Sequence, residues 1–161
     1  MESRNILKVR HNVHFLKTNS GKKGEGMPVV RNSQYYFREG FCWSDINTTF
    51  LKCRKKQKSI HDVKSMSMFG VSNVITEDYI ITLINSTLIS YYVDNLVNNT
   101  QTFQINDARQ LPVIIPSAED LHYASKLVSE AIEIKRSKGE DNELKKLQKR
   151  VDKFISNLYK V

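Results

Sequence analysis

The C-terminal quarter constrains the fold most tightly. Leu121, Ala124, Leu127, Val128, Ala131 and Ile134 recur at the three- and four-residue steps of one helical face. Ser117 stands ahead of them as an N-cap, and Glu119 and Asp120 place acid in the first turn, where the helix dipole favours it. Gly139 interrupts the pattern. Leu144, Leu147, Val151, Phe154 and Leu158 then follow at spacings of 3, 4, 3 and 4, an a/d seam of about two heptads. Two amphipathic helices joined within 137–141 as an antiparallel hairpin fit this pattern. Their stripes need cover from each other, from the rest of the domain or from a partner.

Upstream, residues 77–97 place Ile80, Leu83, Ile84, Thr87, Leu88, Tyr91 and Tyr92 at helical spacing. Thr76 is the expected N-cap, and Asn98-Asn99 the expected end. The segment is too long for one strand, so a single central helix is predicted. Residues 35–43 hold two aromatic blocks around Arg38-Glu39-Gly40, which reads as strand, turn at Gly40, strand. Residues 6–16 and 65–70 read as further strands, 101–105 as an alternating strand, and 111–115 as a proline-flanked extended segment. Residues 20–28, SGKKGEGMP, form a turn or loop. The expected class is α+β: a small mixed sheet with a packed central helix, then a C-terminal helical hairpin. The domains fall as 1–118 and 119–161.

Charge narrows the range of partners. The chain has 25 Lys and Arg against 17 Asp and Glu, a net +8. An excess of six lies in residues 1–118 and only two in 119–161, so the first part is the expected polyanion surface. Residues 52–64 concentrate six basic side chains with one Asp. Such a run repels itself unless solvent or an anion screens it, and both readings stay open. Only Cys42 and Cys53 are present, residues 1–12 hold no apolar h-region, and no stretch reaches the length of a membrane span. A cytoplasmic protein with free thiols and no membrane partner is expected.

A complete catalytic constellation is missing from the sequence. His11, His14, His61 and His122 lie in unrelated contexts, and Cys42 and Cys53 lack the paired spacing of a structural zinc site. There is no Walker A loop, no nucleophile elbow, no strand-linked glycine loop for S-adenosylmethionine and no Asn/Asp-Pro-Pro-Tyr/Phe segment. We therefore expect neither a catalytic residue, a metal site nor a cofactor site in this chain.

Four blocks in order carry a family resemblance. They are Tyr35-Tyr36-Phe37-Arg38-Glu39-Gly40-Phe41-Cys42-Trp43-Ser44; Ser65-Met66-Ser67-Met68-Phe69; Leu83-Ile84-Asn85-Ser86 with Leu88-Ile89; and Phe103-Gln104-Ile105-Asn106-Asp107 with Leu111-Pro112-Val113. Residues 31–116 thus resemble the C-terminal target-recognition region of type II restriction-modification DNA methyltransferases. That group includes combined restriction-modification enzymes and phage-defence adenine-specific methyltransferases. The chain departs from the pattern at Asn106, where a glycine is usual, and near Lys64, where another is absent.

The resemblance implies a fragment that recognises double-stranded DNA. An upstream methyltransferase domain or subunit, outside this sequence, would hold S-adenosylmethionine and methylate adenine. Lys52, Arg54, Lys55, Lys56 and Lys58 are the candidate phosphate contacts, with Lys22, Lys23 and Arg31 as seconds. Arg54, Gln57 and Lys58 are the candidate base readers. Ser44 can cap a turn or touch phosphate. A core place suits Trp43 better than a place on DNA. Asn85 and Ser86 can hydrogen-bond locally or to a neighbouring loop. Asn106 and Asp107 can hold the turn before the Leu-Pro segment. The main alternative is a protein-interaction module using the C-terminal amphipathic helices. A small nuclease or an RNA-binding domain has no motif in its favour.

Overall fold

The computed structural model describes residues 32–60, 65–70 and 72–161. The chain divides into two compact units, Met1–Tyr36 and Phe37–Val161. Of the first unit, the described part is a single 3-10 turn at Ser33–Tyr35. The readings placed on residues 6–16 and 20–28, and on His11, His14 and His61, lie outside the described residues. All that follows concerns the second unit. The boundary drawn at 118/119 falls inside it.

The α+β class holds, and the sheet is antiparallel throughout rather than mixed. β1 (Gly40–Ser44) is central, flanked by β2 (Cys53–Lys56) and β3 (Ser65–Met68). Phe41 faces Lys55 and Met68 across the ladders, and Trp43 faces Cys53 and Met66. Cross-strand partners share a face, so Phe41, Trp43, Cys53, Met66 and Met68 make one apolar side. Phe41 and Trp43 are both 0% exposed. Gly40 begins the strand instead of forming the predicted turn. A Cβ there would stand 2.3 Å from the Met68 carbonyl oxygen, so the close approach of β3 requires glycine. The turn sits earlier, at Phe37, whose φ is 61° and whose N–H donates to the Ser59 carbonyl at 3.1 Å.

The predicted central helix is two helices, α1 (Glu77–Ile84) and α2 (Thr87–Tyr92), the latter running into a π-helical turn at Val93–Val97. The two segments bend by 62° at Asn85-Ser86. Ser86 restarts the helix: its Oγ accepts the Ile89 N–H at 3.3 Å and donates to the Leu83 carbonyl at 2.8 Å. Thr76 caps α1 and Asn98 ends the run, both as expected. Residues Tyr79 to Ile84 of α1 are all buried, because the helix lies between the sheet's apolar side and the C-terminal helices.

The strand expected over 101–105 reduces to one bridge, Ile46↔Thr102. Ile105 instead opens a short helix, α3 (Ile105–Ala108). Asp107 holds its start, accepting from the Gln104 N–H at 2.8 Å and from Asn98 Nδ2 at 3.2 Å. Prolines keep residues 111–115 out of the ladder. Two tyrosines fix this segment, with Tyr79 donating to the Ile114 carbonyl at 2.9 Å and Tyr159 to the Pro112 carbonyl.

The helix pair follows the sequence closely, as α4 (Ala118–Arg136) and α5 (Asp141–Tyr159). Tyr123 meets Phe154, with ring centroids 5.2 Å apart, Leu127 clusters with Leu147 and Val151, and Arg150 pairs with Glu130 at 2.5 Å. Contacts advance along one helix as they retreat along the other, so the pair is antiparallel. Ala124, Val128 and Ile155 join the main core, Ile155 at 0% exposure although it lies outside the a/d seam. Ser117 and Asp120 form the capping box, with the Asp120 N–H donating to Ser117 Oγ at 3.2 Å and the Ser117 N–H to Asp120 Oδ2 at 2.9 Å. Ser117→Ala is expected to cost about 1 kcal/mol in a chemical melt, the usual value of such a cap.

Candidate nucleic-acid interface

The candidate residues gather on β2, an edge strand that side chains hold in place of a neighbour. The Leu51 N–H donates to Ser90 Oγ at 3.1 Å. Asn85 binds Cys53 from both sides of its amide: Oδ1 accepts the Cys53 N–H at 2.9 Å, and Nδ2 donates to the Cys53 carbonyl at 2.8 Å. Residues 51 and 53 turn these backbone groups away from β1, where a fourth strand would otherwise be needed. The polar Asn85-Ser86 step and Ser90 therefore fix the position of β2. Gln148 of α5 in turn donates to the Asn85 carbonyl at 2.9 Å.

Lys56 fixes the other end. Its ammonium donates to the carbonyls of Ser59 at 2.7 Å, Arg38 at 3.3 Å and Gln57 at 3.4 Å, and stands 5.4 Å from the centre of the Phe69 ring. The residue is 6% exposed. Burial pulls its pKa below the ordinary lysine value, and the nearby Cys42 opposes that shift. All three ammonium protons are taken by carbonyls, so Lys56 pins a loop and does not offer a charge to phosphate. That corrects its place among the expected DNA contacts.

The other predicted residues divide clearly. Lys52 just before β2, Arg54 within it, and Gln57 and Lys58 just after it are exposed. Lys55 is bound to Asp78 of α1 at 2.8 Å, its own side chain 42% exposed and that of Asp78 14%, so its charge is already engaged. Ser44 is half-buried at the end of β1, on the sheet face that carries Arg54, and its carbonyl accepts from Asn47 Nδ2 at 2.9 Å. Lys22, Lys23 and Arg31 lie outside the described residues. Trp43 is a core residue: its indole N–H donates to the Phe103 carbonyl at 2.9 Å, and the two rings are 5.6 Å apart.

Beside β2 runs a groove of about 1040 Å³, with α1, α4 and α5 as its other walls. Arg54, Lys55 and Gln57 line one side, and Lys135 and Arg136 of α4 another; the sequence pattern gave no reason to single out the last two. Glu39, Glu77 and Glu133 also line it, so its charge is mixed with a basic excess. A second hollow, about 410 Å³, lies between residues 47–51 and the α2 region, and Asp94 is the one charged residue in its lining. Of the two, the β2 side suits a polyanion.

Cys42 and Cys53 are buried free thiols on adjacent strands, and their register puts them on opposite faces. Burial raises the Cys53 thiol far above its usual range, with Cys42 adding to the shift, which leaves it unsuited to nucleophilic attack. Among the described residues, no three His, Cys, Asp or Glu side chains converge on a metal position. No protein-family model matches the sequence, and no curated protein matches it either.

Proposed function

We propose that this chain recognises duplex DNA as the target-recognition part of a restriction-modification adenine methyltransferase. The methyl transfer and the S-adenosylmethionine site belong, in this reading, to a separate domain or subunit. One observation carries it: the four blocks behind the family resemblance form one connected frame around the edge strand β2, with Lys52, Arg54 and Lys58 exposed in and beside it. The Trp-Ser block is β1, the serine-phenylalanine block is β3, and they pair directly. The Asn-Ser block clamps β2 through Asn85, and the last block meets Trp43 through Phe103.

Lys52, Arg54 and Lys58 would supply phosphate contacts, which set affinity and register. Arg54 and Gln57 offer the directional donors that base edges require. The helix pair braces this frame. Leu127, Leu147 and Val151 pack between its two helices, and Ala124, Val128 and Ile155 join the main core.

The test is a triple charge reversal, Lys52→Glu, Arg54→Glu and Lys58→Glu, in the full chain. Duplex affinity measured by fluorescence anisotropy at low salt should fall at least tenfold while the melting temperature stays close to wild type. Unchanged affinity would remove β2 from the interface.

A further inference from the structure

Helix α5 carries a cationic face that the reading above leaves unused. At about 100° per residue, Lys145, Lys146, Lys149 and Lys153 fall in a sector roughly 100° wide, opposite the stripe of Leu147, Val151 and Ile155. All four are exposed. The acids of α5 lie outside the sector: Asp141 and Glu143 stand in the first turn. Asp152 accepts from the Thr87 N–H at 2.8 Å and from Gln148 at 3.1 Å. Among the described residues, none of the four lysines holds an ion pair. Lys145 and Lys149, and Lys149 and Lys153, are four residues apart, a spacing at which like charges destabilise a helix.

The composition of the face selects its partner. Protein interfaces favour aromatic residues, Met and Arg and are depleted of lysine, but this face offers lysine alone as its charged group. A helix lying on an anionic membrane buries its apolar side in lipid, and the apolar side of α5 is already covered by α4 and the core. A row of flexible point charges without directional recognition fits a phosphate backbone. Lys145 to Lys153 extends for about 12 Å, roughly three phosphates of one strand. The row is also tied to the β2 frame, because Gln148 and Asp152 anchor α5 at the Asn85-Ser86 bend that clamps β2.

We propose that this face of α5 is a second DNA contact, gripping the phosphate backbone of the duplex without regard to sequence. The proposal rests on the duplex-DNA reading. Its test is the full-length variant Lys145→Gln, Lys146→Gln, Lys149→Gln and Lys153→Gln, compared with wild type and the β2 triple reversal on labelled duplexes across a salt series. The expected result is a slope of log affinity against log salt that is shallower by about 0.9 for each lysine on a phosphate. Affinity should fall about tenfold or more at low salt, equally for every duplex sequence. The melting temperature should hold or rise, since the repulsion is gone. An unchanged slope and affinity in this variant, with binding still lost in the β2 variant, would overturn the inference and leave the functional reading standing. Absence of duplex binding by the wild type would overturn both.

Discussion

Asn85→Ala lowers the unfolding free energy by about 2–6 kcal/mol, because it strips the partners from two backbone groups at once. The Cys53 N–H and carbonyl both depend on this one side chain, at 2.9 and 2.8 Å. An unsatisfied buried polar group costs about 1–3 kcal/mol, so the two together set the range. Asn85→Asp separates the two bonds. It keeps an acceptor for the N–H but points a carboxylate at the Cys53 carbonyl, so it should destabilise to a similar extent. Urea unfolding of the three proteins decides the matter. A loss below about 1 kcal/mol for the alanine variant would mean that β2 is not held by this clamp, a loss of the size expected for an ordinary surface change.

Lys56→Met should cost about 2–4 kcal/mol, although lysine is ordinarily a tolerant surface residue. Methionine keeps a stem of similar length and removes the ammonium, leaving the carbonyls of Arg38, Gln57 and Ser59 without their shared donor. Hydrogen bonds to a charged group contribute more than neutral ones, which places the cost well above that of a solvated lysine. The matched control is Lys52→Met at the exposed first position of the same basic run, expected to change stability by less than about 0.5 kcal/mol. The two variants should exchange roles in DNA binding. Lys52→Met weakens binding in a folded protein, whereas Lys56→Met affects it through the loss of fold. Equal stability of the two would show that the Lys56 ammonium is solvated.

How legible each region was depends on where its structure is decided. The helix pair could be read because its stripes, caps and Gly139 are local signals that the core then uses unchanged. The bend at Asn85-Ser86 was hidden because the apolar spacing runs straight through it. The backbone breaks at Ser86, which is extended and caps Ile89, and the apolar periodicity carries no trace of that. β2 was hidden for a related reason. In the run Cys53-Arg54-Lys55-Lys56 the first residue alone is an apolar core residue, so charge masked the alternation that marks a strand. Gly40 was misread because glycine suits a turn and a close strand approach equally well, and only the Met68 carbonyl decides between them. Of the predicted interface, Lys52, Arg54, Gln57 and Lys58 stand exposed along one edge. Lys56 looked the same in sequence, but its surroundings come from residues 38 and 59, which a local reading does not bring together.

The proposed activity is duplex recognition. Its most direct test is fluorescence anisotropy of the full chain with a randomised duplex pool across a salt series, followed by sequencing of the retained DNA. Binding should weaken steeply as salt rises, with enrichment of one short sequence. No binding to duplex at the lowest salt would contradict it.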